Sequence, residues 1–172
     1  STAAETEENE TDAAEETPAE PVISEDALIA ENFKELIKSL TDDSVELSQE
    51  SYDFIVKNHT LFPANTKDEI AEAKKKTDSS ISYKHLNKNA QPYYKKITTF
   101  QGTVVSVEEN PLDDGTTISL VHVMDDDFNS YQVLLYKSTG DILEEDTVRF
   151  WGVPVGASSF ENVSGGTTNV QN

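Results

Sequence analysis

Residues 97–172 contain a series of short apolar runs separated by Gly and Asp, and this series constrains the fold most. Runs of that length between turn residues are typical of β-strands. In the first run, "ITTFQGTVVSVEEN", the apolar positions change parity between Val104 and Val105. Since a regular strand sends alternate side chains to opposite faces, this change predicts a β-bulge near Gly102 and a bent first strand.

The later runs complete the pattern of a small barrel. The turn "NPLDDG" leads into "TTISLVHVM", the turn "DDDFNS" leads into "YQVLLYK", and a fourth strand is expected from Val148 to Val153. The stretch "SGGTT", Ser164 to Thr168, lacks the Lys and the helix of a phosphate-binding loop, so we expect it to cross the barrel as a loop. Only "VQN" follows Asn169, and these runs therefore predict a five-stranded barrel with an incomplete last strand.

A Gly-bearing first strand, a three-stranded meander and then "EEDTVRFWG" together resemble the OB fold. In that fold an acidic residue typically precedes the fourth strand and a glycine lies near its end, as Asp146 and Gly152 do here. The segment "VPVGASSFENVSGGTTN" is also similar to the loop before the last strand in small secreted OB-fold proteins of Gram-positive bacteria. Either the chain stops before the closing strand, or that strand comes from elsewhere, for example from a partner.

Residues 24–96 predict a helical subdomain that packs against the barrel or covers one of its ends. Ser24 is expected to cap the first helix, and Thr66 with Glu69 forms the pattern of a capping box for a third helix. The apolar positions with helical spacing are Ile29, Phe33, Ile37 and Leu40 in the first helix, and Tyr52, Ile55 and Val56 in a second helix that ends near Asn58. The fold class predicted for the whole chain is therefore α+β.

Residues 1–23 consist almost only of Ala, Thr, Glu, Asn, Asp and Pro, which predicts a disordered acidic spacer. A chain that begins in this way resembles a mature bacterial lipoprotein cleaved just after its lipidated Cys. The resemblance implies an extracellular domain, anchored to the outer face of the cytoplasmic membrane by a lipid on a residue before Ser1. An acidic tail on a cytoplasmic protein is the less favoured alternative. No apolar run approaches the about 18 residues of a transmembrane helix.

Three segments together resemble a family of uncharacterised secreted lipoproteins from Firmicutes: "SYDFIVKNHTLFPA", "YKHLNKNAQPYYKKI" and the OB-like end. The resemblance lies in the character and order of these segments. It implies a fold and an extracellular location. The family carries no established activity that could be assigned to residues of this chain.

The sequence contains no catalytic or metal-binding constellation, and we expect no enzyme, no metal and no cofactor. Its three histidines are scattered without the spacing of zinc ligands. Asp125, Asp127 and Asn129 copy the first ligand positions of a calcium loop. Because Tyr136 stands where the bidentate glutamate belongs, a hairpin turn is favoured over weak calcium binding. A nuclease on such a barrel would need paired arginines, and the chain has one, Arg149.

Charge is unevenly distributed over this chain, whose formal net charge is −20. Residues 57–96 carry nine lysines and four acidic residues, a net charge of +5. Residues 97–172 carry two basic and twelve acidic residues, a net charge of −10. Nucleic-acid binding by an OB barrel needs a positive groove, so nucleic acid is an unlikely partner of this barrel.

The candidate ligand-binding residues are aromatic and basic. They are Tyr83, Lys84, His85, Lys88, Tyr93, Tyr94, Lys95 and Lys96 before the barrel, with Arg149 and Trp151 on its fourth strand. For the first group, the favoured interpretation is structural: the tyrosines pack between helix and barrel, and the lysines lie in solvent. The functional interpretation is that these residues form a contact surface for an anionic partner. The sequence predicts a non-enzymatic, surface-tethered binding module for an unknown protein or cell-envelope polymer. The alternative is an OB-type nucleic-acid or oligosaccharide binder.

Overall fold

The computed structural model describes residues 22–40, 42–43, 45–157 and 161–169, with the backbone alone for residues 40, 156–157 and 161–169. The helices of this part are α1 (Leu28–Leu40), α2 (Gln49–Lys57), α3 (Lys67–Lys75) and α4 (Tyr83–Lys88). Its strands are β1 (Thr98–Pro111), β2 (Thr117–Met124), β3 (Ser130–Leu135), β4 (Thr147–Ala157) and β5 (Glu161–Asn169). The predicted spacer, up to residue 21, lies outside the described residues.

Helices α1 and α2 form where the apolar spacing predicts them, and α3 forms where the capping box predicts it. In α1 the residues Ala30, Phe33 and Ile37 are buried at helical spacing. In α3 the predicted capping box is confirmed, since Thr66 Oγ1 accepts from the N–H of Glu69 at 3.1 Å and Glu69 Oε1 accepts from the N–H of Thr66 at 3.0 Å. The N–H groups of the cap lower the pKa of the Glu69 carboxyl.

Ser24 does not cap α1 with its side chain, so this prediction is wrong. Residues Glu25–Ala27 form a 3₁₀ turn, and α1 begins only at Leu28. The N–H of Ala27 donates to the carbonyl oxygen of Ser24 over 3.0 Å. Because this backbone carbonyl accepts the N–H group, the Ser24 hydroxyl is left without a capping role.

A hydrogen bond joins α1 and α2, and it makes the free energy of unfolding depend on pH in the alkaline range. Tyr52 donates its hydroxyl to Glu31 Oε1 over 2.7 Å, and this bond, with burial and the Glu31 charge, raises the pKa of Tyr52 from 10.0 to about 12. A raised pKa means that the contribution is fully present below pH 10 and is lost as the pH rises towards 12. We expect Tyr52→Phe to lower the free energy of unfolding by about 1 kcal/mol at pH 8, after allowance for solvent screening, and by less above pH 11. Urea unfolding across this pH range measures the effect, with Tyr93→Phe as the control.

Strands β1 to β4 form a curled antiparallel sheet. β2 pairs with β1 and β3, and β4 pairs with the first half of β1, all antiparallel. These contacts confirm the α+β class, with a helical N-terminal part followed by a curled sheet. The extended segment β5 pairs in parallel with β3 and antiparallel with β4, which gives the closed order β1-β2-β3-β5-β4.

Ser164 to Thr168, which we expected to be a crossover loop, belongs to β5. The prediction is wrong because Gly165 and Gly166 have little strand preference of their own, whereas β4 pairs with the whole stretch and β3 pairs with β5 as far as Ser164. Gly165 and Gly166 lie opposite Gly152 and Trp151 on β4. The backbone that closes the sheet therefore comes from the same chain.

The bend in β1 involves a bulge and a close backbone approach at separate positions. The register shifts between Val104 and Ser106, slightly beyond the predicted bulge near Gly102. At Gly102, a Cβ atom would lie 2.5 Å from the carbonyl oxygen of Met124 and 2.8 Å from Val123 Cγ1. Glycine is needed there because β2 crosses β1 too closely for any side chain.

Two apolar clusters hold the molecule together. The cluster inside the sheet contains Val104, Val121, Val123, Tyr131, Val133, Leu135, Val148 and Phe150. The second cluster joins Phe33, Ile37 and Ile55 of α1 and α2 to Ile118, Leu134 and Val153 on the outer face of the strands. Tyr136 connects the two parts, since its ring meets Phe33 edge-on at 6.0 Å and its hydroxyl accepts from Asn32 Nδ2 at 2.9 Å. Helices α1 and α2 thus cover the outer face of β2 and β3.

Helix α4 lies at one end of the barrel. The ring of Tyr83 packs edge-on against Tyr131 at 5.6 Å, above an aromatic group that includes Phe100 and Phe150. Leu86 of the same helix is 1% exposed. These contacts make α4 a cover for the interior.

Candidate functional site

The part of the barrel surface that the helices leave open lies on β1 and the first half of β4. Val148 and Phe150 are fully buried inside, so Arg149 and Trp151 point outward by strand alternation. Farther along β4 the outward residues Val153 and Val155 are buried in the cluster shared with the helices. Trp151 therefore lies at the boundary between the covered and the open part of this strand.

Arg149 is held in a defined orientation by β1. Its Nη1 donates to Thr99 Oγ1 over 3.3 Å, and its Nη2 donates to Gln101 Oε1 over 3.0 Å. The pairing of β1 with β4 brings Thr99 beside Trp151 and Gln101 beside Arg149. A guanidinium has five N–H donors in one plane, so two bonds to β1 leave further donors for an anionic ligand.

Trp151 has a cation on one side and a glycine on another. Lys74 Nζ, from the last turn of α3, lies 5.7 Å from the centroid of the Trp151 ring. On β5 the residue opposite Trp151 is Gly166, which has no side chain to fill the neighbouring space. The ring is partly buried against the helical cluster. Cation, indole and guanidinium thus follow one another along the open face.

The lysines of α3 are joined to the start of β1. Thr77 and Ile97 form an isolated β-bridge, and the N–H of Asp78 donates to the carbonyl oxygen of Ile97 over 2.8 Å. Lys96 Nζ lies 3.4 Å from Asp78 Oδ2. Ser80, with a smaller contribution from Lys96, lowers the pKa of the Asp78 carboxyl. These links bring the last turn of α3 beside Lys95 and Lys96 and connect both to the open face.

The predicted residues before the barrel separate into two groups. Tyr83 is packed on Tyr131, and His85 Nδ1 accepts from the N–H of Ser82 at 2.9 Å in a capping box. The ring of Tyr93 lies 5.9 Å from that of His85, which joins α4 to the 3₁₀ turn Gln91–Tyr93. Lys84, Lys88 and Lys95 are exposed, Tyr94 is partly buried, and no ion pair joins these three lysines to a described carboxylate. Tyr83 and His85 thus have structural contacts, and the lysines face solvent.

Sequence reasoning missed Lys74, Thr99 and Gln101. The contact of Lys74 with Trp151 depends on how α3 docks on the strands, which the sequence of α3 alone does not show. Thr99 and Gln101 have the same parity in β1, which is visible in the sequence. Their contact with Arg149 requires the register between β1 and β4, and no local signal gives that register.

The acidic residues of residues 97–172 avoid this face. β1 has none before Glu108, and β4 has none at all. They lie in turns, at the far end of β1 and at the start of β5, where the first residue pairs with Ala157 at the other end of β4; the positions are 108, 109, 113, 114, 125–127, 141, 144–146 and 161. The open face therefore carries Arg149 in an acid-free setting, next to the basic segment, on a protein that is acidic overall.

In the acidic turn between β2 and β3, the carboxylate of Asp125 accepts hydrogen bonds from groups of the protein itself. Asp125 Oδ1 accepts from the N–H groups of Asp127 and Asn129 at 3.0 and 2.9 Å, and Asp125 Oδ2 accepts from Tyr131 Oη at 3.2 Å. Within the described residues no group of three or more His, Asp or Glu could hold a metal ion. The histidine at position 122 is partly buried on β2, and this burial lowers its pKa.

The helices described here are all too short or too polar to cross a membrane.

Comparison with known proteins gives this chain no family, since no family model and no curated protein matches it. The class of site is therefore defined by geometry alone. It is an open, acid-free strand face with one oriented guanidinium and one indole, continuous with a lysine-rich segment.

Proposed function

We propose that this protein is a non-enzymatic binding module, tethered to the cell surface, which holds an anionic cell-envelope polymer. The OB-like barrel and the adjoining segment of lysines and tyrosines, residues 83–96, form the binding surface. The observation that carries this proposal is the separation of charge. Arg149 lies on a strand face without acidic residues, Lys74 lies over Trp151, and the lysines at positions 84, 88, 95 and 96 belong to the segment that leads into β1. A positive patch on a chain with net charge −20 is a local attraction for polyanions.

The helical cover supports a binding mode other than the usual one of OB folds. Those folds bind oligonucleotides and oligosaccharides on the face of strands two and three. Here α1 and α2 pack on that face through Phe33, Ile118 and Leu134. A ligand would therefore use β1 and β4 instead, and conventional nucleic-acid binding is the weaker candidate.

The N-terminal composition supports the tether. Residues 1–23 are acidic and contain proline, which is a composition typical of a spacer. We propose the lipid anchor on the basis of its resemblance to mature bacterial lipoproteins.

The proposal predicts salt-dependent polyanion binding that depends on four lysines. We expect the full chain to bind heparin at low salt, and we expect Lys84→Ala, Lys88→Ala, Lys95→Ala and Lys96→Ala together to reduce the affinity by at least about tenfold. The variant should also flatten the dependence of log affinity on log salt, because fewer counterions are released. Isothermal titration at several salt concentrations measures both quantities, and single-stranded DNA is titrated in parallel.

A matched variant with the same loss of charge is the control. It replaces Lys38, Lys57, Lys67 and Lys137, which lie outside the proposed surface, by alanine. Equal losses in the two variants would mean that only net charge matters. Absence of heparin binding by the unmodified chain at low salt would refute the proposed function, and tighter binding of DNA than of heparin would favour the nucleic-acid alternative.

A further inference from the structure

Arg149 and Trp151 are two positions apart on one face of β4, which separates their Cα atoms by about 7 Å. This spacing matches a ligand unit that has a flat apolar face and, beside it, an anionic group. The indole can pack against the apolar face, and the guanidinium can bind the anion. Lys74, whose Nζ lies over the ring at 5.7 Å from its centroid, adds a second cation.

The guanidinium is oriented before any ligand arrives. Its bonds to Thr99 and Gln101, of 3.3 and 3.0 Å, fix the plane of the fork against β1. Carboxylate, sulfate and phosphate groups accept two parallel N–H bonds from such a fork. Fixing the fork in advance reduces the side-chain entropy lost on binding. Arg149 is thus better suited to one defined anionic group than a mobile lysine is.

The surroundings of the indole favour a sugar ring over a stack of bases. Proteins that bind single strands stack successive bases on several aromatic side chains. On the described part of this face Trp151 is the aromatic residue, because Phe100 and Phe150 lie in the interior and Tyr136 lies beneath α1. Thr99 flanks the ring on β1, and Gly166 flanks it on β5. The Thr99 hydroxyl donates to the Phe150 carbonyl oxygen over 3.0 Å, so it is fixed in place. A single, partly exposed indole offers room for one flat apolar unit, which fits one sugar ring better than a run of stacked bases.

We propose that Trp151, Arg149 and Lys74 form a subsite for one sugar unit that carries an anionic group, within the polymer that the module binds. This inference rests on the proposed function and names its ligand class: an anionic glycan in which the sugar ring packs on Trp151 and the charged group is held by Arg149. The lysine segment supplies general attraction, and this subsite supplies the preference for a sugar.

The chain contains one tryptophan, so its fluorescence reports on the subsite directly. Heparin and inorganic polyphosphate serve as probes, since both are polyanions and only heparin contains sugar rings. We expect heparin to shift or quench the emission of the unmodified chain, and polyphosphate to bind with little change in emission. Binding itself is measured independently by isothermal titration.

Two variants separate stacking from charge. We expect Trp151→Leu, which keeps an apolar side chain against the helices, to weaken heparin binding by about tenfold and polyphosphate binding by less than about twofold. We expect Arg149→Lys, which keeps the charge and loses the fork, to weaken heparin binding by about fivefold. Lys137→Ala, which removes the other basic residue of residues 97–172, is the control and should change either affinity by less than about twofold.

The outcomes distinguish the subsite from the function on which it rests. Equal changes with heparin and polyphosphate, in emission and in the Trp151→Leu variant, would overturn the sugar subsite and leave polyanion binding intact. An unmodified chain that binds neither polymer would refute both proposals. If thermal unfolding shows that Trp151→Leu is unfolded, the emission of the unmodified chain and the affinity of Arg149→Lys still decide the matter.

Discussion

Phe33→Ala is expected to lower the free energy of unfolding by about 4 kcal/mol, the largest effect of any single substitution that we predict. Phe33 is completely buried in the cluster that joins α1 to the outer face of the strands, and its ring meets Tyr136 edge-on. Removing the ring loses its transfer free energy and leaves a cavity between two rigid elements that cannot collapse together fully. Urea unfolding followed by circular dichroism measures the loss.

The same change at Phe128 is the matched control. Phe128 is 82% exposed in the turn between β2 and β3, so Phe128→Ala is expected to change stability by less than about 0.5 kcal/mol. Similar losses in the two variants would contradict the packing of α1 on the strands. The structure predicts that only Phe33→Ala lowers the free energy of unfolding, and that this variant has a reduced near-ultraviolet circular dichroism signal.

Gly102→Ala is expected to destabilise the fold by about 3 kcal/mol, at the upper end of the range for overpacking. The new Cβ would lie 2.5 Å from the carbonyl oxygen and 2.8 Å from the carbonyl carbon of Met124. These are backbone atoms, so relief requires β2 to move away from β1 rather than a side chain to rotate. The movement would strain the pairing that begins at Thr103 and Met124.

Gly115→Ala separates this crowding from ordinary glycine strain. Gly115 has a φ of +85° and open space around the position of a Cβ, so its replacement costs only the left-handed backbone penalty of about 1–2 kcal/mol. Thermal unfolding of both variants measures the difference. If Gly102→Ala is no more destabilising than Gly115→Ala, then β1 and β2 do not approach as closely as described.

Local signals predicted the helices and most strands. The spacing of Phe33 and Ile37 and the Thr66–Glu69 box are properties of neighbouring residues, and the sequence shows them directly. The Ser24 cap failed because a backbone carbonyl took the place of the hydroxyl. The strand β5 was missed because Ser164, Gly165 and Gly166 interrupt its strand-forming residues, and its pairing comes from partners distant in sequence.

Only the part of the candidate site that lies on a single strand, β4, could be predicted from the sequence. Parity alone indicates that Arg149 and Trp151 point away from the interior. Their partners could not be found in this way, because Arg149 and Thr99 are 50 residues apart and meet only when β1 and β4 pair. The predicted role of the lysine segment and of the strand face as a binding surface stays a prediction.

The contacts between the helices and the strands also govern the order in which the chain can fold. Asn32 bonds to Tyr136 and Ser51 bonds to the carbonyl oxygen of Pro154 across sequence separations of 104 and 103 residues. Contacts of such separation slow folding because a long loop must close before they form. During synthesis α1 and α2 emerge long before the strands they cover. Their apolar faces therefore stay exposed until the second half of the chain has been made.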